Sequence, residues 1–136
     1  MGYPKGRYRK HPDERAPKKS YYKPNPWLTY GTPQFDTLAK ACYEFYKEAK
    51  FPIATDDAVE MILEKSGERA YLESPAALEL FGQPKNLIGR FLTQNFHIYG
   101  RQLRRNGVRS RFYVIMKPKE TEESMQTVAL MLGLGE

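Results

Sequence analysis

Leu87-Ile88-Gly89-Arg90-Phe91-Leu92, and after it Arg104-Arg105-Asn106-Gly107-Val108-Arg109-Ser110-Arg111-Phe112-Tyr113-Val114-Ile115, hold the clearest structural signals in the chain. The first segment carries apolar residues at helical spacing. Gly82-Gln83-Pro84 ahead of it supplies a tight turn and a proline at the first helical position. The spacing predicts a helix over 84–96. Asn106-Gly107 sits between two basic and apolar runs, the strongest short signal for a two-residue hairpin turn, so strands are expected over 98–105 and 108–116.

Upstream, Thr32-Pro33 reads as a cap followed by a helix-start proline. Phe35, Leu38, Ala39, Cys42, Phe45, Tyr46 and Ala49 then recur at helical spacing. Asp57 with Glu60 reads as a capping box for a second helix that stops at Gly67. Arg69-Ala70-Tyr71-Leu72 is expected to be one brief strand, and Ser74-Pro75 to start a third helix over Ala76 to Phe81. After Pro118, Thr121 is expected to cap a last helix with an apolar stripe of Met125, Val128, Ala129 and Leu132, ending at Gly133.

From Asp57 to Met116 the expected order is helix, short strand, helix, tight turn, helix, strand, Asn-Gly hairpin, strand. In that order, and in the two segments quoted above together with Phe96, the chain resembles the winged-helix DNA-binding domains of bacterial and phage regulators and of phage-type replication primase-helicases. The resemblance covers about sixty residues and implies an α+β, mainly helical fold. That fold is a winged helix with an extra N-terminal helix and a C-terminal helix. Residues 1–31 are expected as a disordered or extended basic arm, and 32–136 as the domain, with its core module at about 56–116. The 136 residues hold no ATPase or primase motif, so none of that catalysis is implied.

The same residues can be read without the family. With Ile88, Phe91, Leu92 and Asn95 inward, a turn of about 100° per residue puts Asn86, Arg90, Thr93 and His97 on the outer face of the 84–96 helix, with Lys85 at its start. Asn suits adenine, Arg suits guanine, and Thr can reach base or phosphate. A two-residue turn places Arg104 opposite Arg109, Gln102 opposite Arg111 and Leu103 opposite Ser110. One hairpin face then holds Gln102, Arg104, Arg109 and Arg111, with Arg105 also in the wing. The other face, Tyr99, Leu103, Phe112 and Val114, is expected to close over the helices. Like charges directly opposite destabilise a sheet, so Arg104 facing Arg109 points to phosphate as the neutralising partner.

Charge is segregated along the chain. Residues 1–31 carry a net +6 and 32–82 a net −5, whereas 83–118 hold eight basic and no acidic residues. An arm and a docking face that both meet phosphates would leave this footprint. Lys5, Arg7, Arg9, Lys10, Lys18 and Lys19 are the arm's candidate contacts, interleaved with proline and tyrosine. One cysteine, Cys42, cannot form an intrachain disulfide, and His11 and His97 give no zinc spacing with it. No phosphate-binding loop or nucleophile elbow is present. Asp56-Asp57 and Glu122-Glu123 both fall where a helix start explains them. No apolar run approaches membrane-spanning length, and the opening residues do not resemble a signal peptide.

The expectation is therefore a cytoplasmic or nucleoid-associated nucleic-acid-binding protein, not an enzyme, with no cofactor, metal or membrane partner. Duplex DNA is favoured over RNA, in a regulatory or replication-associated role. A structural RNA-binding protein of a ribonucleoprotein particle, or a protein-interaction module, is the alternative. The apolar surface of the last helix suggests a weak homodimer.

Overall fold

The computed structural model describes residues 24–134. Thr32 caps the first helix, α1 (Pro33–Glu48), its hydroxyl accepting the Phe35 N–H at 3.0 Å. Phe35, Leu38, Ala39, Cys42 and Phe45 are all buried, so the helical stripe read from the sequence is the core face. A two-residue strand, β1 (Ile53–Ala54), runs directly into α2 (Thr55–Ser66), which stops at Gly67 in left-handed backbone. Two short helices, α3 (Arg69–Leu72) and α4 (Pro75–Phe81), lead to α5 (Pro84–Phe96). The hairpin β2 (Ile98–Arg105) and β3 (Val108–Ile115) and a last helix, α6 (Pro118–Leu132), complete an α+β, mainly helical fold. The sheet is antiparallel in the order β1-β3-β2, with Ile53 opposite Tyr113 and Ala54 opposite Phe112. No helix among the described residues is long and apolar enough to cross a membrane.

Four expectations need correction. Arg69–Leu72 is a helical turn, not a strand, and the strand that pairs with the hairpin lies at Ile53–Ala54, before α2. Arg69 bridges Glu60 and Glu73, and the Glu73 contact is an i,i+4 pair that only a helix brings together. Asp57 does not cap α2: the helix begins at Thr55 after Ala54, and Asp56 and Asp57 lie in its first turn, where negative charge suits the dipole. Thr121 does not cap α6, which begins three residues earlier at Pro118. It is instead fully buried, its hydroxyl donating to the His97 carbonyl at 3.3 Å. Accordingly Glu122 and Glu123 lie past the first turn, and Glu122 accepts a hydrogen bond from the Tyr46 hydroxyl at 2.8 Å.

The fourth correction concerns the arm. Residues 24–31, read as its end, belong to the folded body: Pro26–Leu28 form a 3-10 turn in which Asn25 accepts the Trp27 N–H, and Trp27 is 4% exposed. The rest of the expected arm, with Lys5, Arg7, Arg9, Lys10, Lys18 and Lys19, lies outside the described residues.

The core is aromatic at its centre. Phe35, Phe91 and Phe96 form a chain with ring centres 4.9 and 5.8 Å apart, joining α1 to α5. Burial in this core pushes the Cys42 thiol well above its ordinary range, so it behaves as a small apolar residue. The stripe on α6 is consumed within the monomer. Met125 and Val128 are buried as the helix packs on α1 and α5, leaving Leu130 and Met131 as its exposed apolar surface.

Two outcomes follow from this packing. Trp27→Ala should lower unfolding free energy by about 3–5 kcal/mol, the range for truncating a buried large aromatic, read from the urea midpoint. A shift under about 1 kcal/mol would show that the 3-10 turn contributes little to the core. Partial burial and the Glu122 carboxylate raise the Tyr46 phenol from 10.0 to about 12. A raised folded-state value means stability fully present below about pH 10 and lost as pH rises toward 12. Tyr46→Phe should therefore flatten the alkaline limb of a stability–pH curve, and an unchanged limb would show that this hydrogen bond does not form in solution.

Candidate nucleic-acid interface

Helix α5 divides cleanly into two faces. Leu87, Ile88, Phe91, Leu92 and Phe96 are buried, whereas Lys85, Asn86, Arg90, Thr93 and Gln94 are exposed. Asn95, expected inward, is half-buried and donates its side-chain amide to the Phe91 carbonyl at 3.2 Å. The helix passes into β2 through one residue, His97, in left-handed backbone at φ 57°. Its ring does not join the outer face, as expected, but lies by α6, with Nδ1 3.3 Å from the Tyr99 hydroxyl and 3.7 Å from Glu120.

In the hairpin the register is the one set by a two-residue turn: Arg104 pairs with Arg109, Gln102 with Arg111 and Leu103 with Ser110. Asn106 and Gly107 both have positive φ, as the tight turn requires. The face that joins the main core is not the expected one. Ile98, Tyr113 and Ile115 belong to the core, and by strand alternation they share a face with Gly100, Gln102, Arg104, Arg109 and Arg111. Of the other face, Phe112 is buried at 9% exposure but stands outside the main cluster, and Tyr99, Leu103 and Val114 are half-buried. Phe112 is covered from outside by Arg105, whose guanidinium carbon lies 5.1 Å from the ring centre. Arg105 therefore stands on the opposite side of the hairpin from the other wing candidates.

Between α5 and the hairpin lies a cleft of about 470 Å³. It brings together Lys85, Asn86, Arg90 and Thr93 from α5 with Arg111 from β3, five of the residues selected from the sequence. Gln102, Arg104 and Arg109 lie farther out on the exposed half of the hairpin. Thr93 has a structural task as well, its hydroxyl donating to the Ile98 carbonyl at 3.2 Å and tying the helix to the strand. Sequence reading missed Gln94, Thr55, Asp56, Gly100 and Tyr113 as lining residues. Gln94 was findable, being one turn on from Arg90, but Asp56 enters only because β1 precedes α2.

Two glycines shape the cleft. A Cβ at Gly89 would lie 3.0 Å from the Tyr113 hydroxyl, so what approaches this helix closely is a buried side chain from β3. A Cβ at Gly100 would lie 2.7 Å from an Arg111 Nη atom. Burial raises the Tyr113 phenol while the Arg111 guanidinium beside it pulls the other way.

Two cations outside this cleft, Lys65 and Arg69, are held by carboxylates. Lys65 pairs with Glu48 at 2.7 Å, and Arg69 with Glu60 and Glu73. The Arg69 guanidinium holds the Glu60 carboxyl below its ordinary value. By contrast, no carboxylate among the described residues stands within ion-pair distance of Lys85, Arg90, Arg104, Arg109 or Arg111. Among the same residues, no three of His, Cys, Asp and Glu gather where a metal could be held.

No family model, curated protein or solved structure matches this chain.

Gly89→Ala tests the contact that sets the cleft's width. In an open helix position the change stabilises by about 1 kcal/mol. Here the new Cβ meets the Tyr113 hydroxyl, so the variant should gain nothing over wild type in urea unfolding. In a Tyr113→Phe background the same change should recover about 1 kcal/mol. A full gain from Gly89→Ala alone would mean that helix and strand are farther apart than described.

Proposed function

We propose that this protein binds duplex DNA as a winged helix, with α5 entering the major groove and the outer half of the β2–β3 hairpin resting on the sugar-phosphate backbone. The observation that carries this is the set of exposed cations on α5 and the hairpin with no carboxylate within ion-pair distance, in a stretch, 83–118, that holds eight basic and no acidic residues. Phosphates supply the missing counter-charge, and the counterions they release drive association.

The connectivity supports the same reading. Helix α1, strand β1, helix α2, helix α5 and the β2–β3 hairpin follow one another in winged-helix order, with β1 pairing on β3. Helix α1 thus takes first place in the module and is not an addition to it, and α3 and α4 fill the connection before α5. At 13 residues, α5 is about 20 Å long, enough to lie in a major groove about 12 Å wide. Asn86, Arg90 and Gln94 then present the side-chain types that pair with purine edges. The basic residues before position 24 add charge to the same binding event. A regulatory or replication-associated role fits a reader of this kind, acting by occupancy and not by catalysis.

Full-length protein should prefer a 20–30 base-pair duplex over a structured RNA of equal charge at fixed salt, measured by competition. Tighter binding to RNA would overturn the DNA assignment. Arg104→Ala with Arg109→Ala should leave unfolding unchanged and lower the slope of log affinity against log salt by about 1.8, about 0.9 for each lost phosphate contact. An unchanged slope would remove the wing tip from the interface.

A further inference from the structure

We propose that Arg111, laid across β2 by the missing side chain at Gly100, reads base edges together with α5 and is not one of the wing's phosphate contacts. This rests on the duplex-binding proposal and divides the wing's cations into two classes.

The geometry begins with register. Gly100 pairs with Tyr113, so Arg111 is its diagonal neighbour on the same face of the hairpin. The guanidinium settles over the Gly100 backbone, its Cζ 3.6 Å and an Nη 2.7 Å from where a Cβ would stand, with Tyr113 Cε1 at 3.7 Å on the other side. Any other residue at position 100 occupies that space. Thus directed, Arg111 lines the cleft with Asn86 and Arg90 of α5, whereas Arg104 and Arg109 face each other near the exposed turn.

What shares the cleft with Arg111 decides what it can meet. Asp56, in the first turn of α2, lines the same cleft. A carboxylate there repels phosphate oxygens but accepts a hydrogen bond from a cytosine amino group, while an arginine fork grips the O6 and N7 of guanine. An arginine and a carboxylate lining one cleft therefore suit the edge of a G·C pair better than they suit backbone. At the turn no carboxylate accompanies Arg104 and Arg109, and that surface suits phosphate.

The test uses the full chain, a duplex enriched by it from a random pool, and a shuffled duplex of equal length. Arg111→Ala should reduce the affinity ratio between the two duplexes by about 5- to 150-fold, the range for one bidentate base contact. The salt slope on shuffled DNA should stay unchanged. Arg111→Lys keeps the charge but not the fork and should lose the same discrimination. Gly100→Ala displaces only the end of a flexible side chain, so its thermal midpoint should match wild type while its discrimination falls to that of Arg111→Ala. Combining the two substitutions should then add nothing.

If Arg111→Ala weakens both duplexes equally and lowers the salt slope, Arg111 is a phosphate contact and the proposal is overturned, although duplex binding stands. If Gly100→Ala discriminates as wild type does, the positioning role is overturned. Binding without any sequence discrimination overturns base reading alone. Failure of the full chain to bind any duplex removes the functional proposal and this inference with it.

Discussion

One residue between a helix and a strand controls the arrangement of everything that faces outward. His97 sits in left-handed backbone between Phe96 and Ile98, both fully buried. A non-glycine residue there costs on the order of 1–2 kcal/mol, and its surroundings offset the strain. The His97 amide closes on the Leu92 carbonyl, Thr121 donates to its carbonyl, and Thr93 donates to the Ile98 carbonyl. With both neighbours locked in the core, α5 and the hairpin have little freedom to rotate against each other. The cleft between them is therefore preorganised. A ligand that fits it does not have to supply the entropy of closing it.

Packing and charge divide the molecule along the same line. Carboxylates lie mostly on α1, α2 and α6, where Lys65, Arg69 and Tyr46 engage several of them. The stretch from 83 to 118 has no carboxylate of its own. Glu120 stands 3.9 Å from the last of its cations, Lys117, and the first turn of α2 brings Asp56 to the cleft that Lys85, Arg90 and Arg111 line. Arg104 opposite Arg109 adds a repulsion across the strands that nothing within the described residues neutralises. At an exposed turn, screening keeps this cost small, so the hairpin folds despite it. The same exposure leaves both arginines available to a polyanion.

The sequence was most legible where a single residue type has one physical use. Thr32-Pro33, Ser74-Pro75 and Gln83-Pro84 each mark a helix start, and Asn106-Gly107 fixed the hairpin register to the residue. It was least legible where the deciding partner is distant. β1 has two residues and no period of its own, and becomes a strand only because β3 offers it Phe112 and Tyr113, nearly sixty positions later. Arg69-Ala70-Tyr71-Leu72 has strand-like composition, and the pairs that make it helical come from Glu60 and Glu73. Thr121 looked like a cap because its type favours one, yet its hydroxyl serves a carbonyl more than twenty positions earlier. Of the candidate site, the α5 face was readable from helical phase. The inner face of the hairpin was not, since apolar residues alternate on both sides of these strands.

The hairpin's orientation decides how that face matters. Had Tyr99, Phe112 and Val114 packed inward, the arginines would have pointed away from α5 and made a second, separate patch. Because Ile98, Tyr113 and Ile115 pack inward, Arg111 continues the same face and turns toward the helix. Gly89 then lets Tyr113 lie against α5, and Gly100 lets Arg111 lie beside Tyr113. The two glycines thus have complementary effects on one cleft: the first brings the walls together, and the second leaves room between them for a guanidinium. Lys85, Asn86, Arg90 and Thr93 of α5 consequently share one cleft with Arg111, and Arg104 and Arg109 lie farther out on the hairpin.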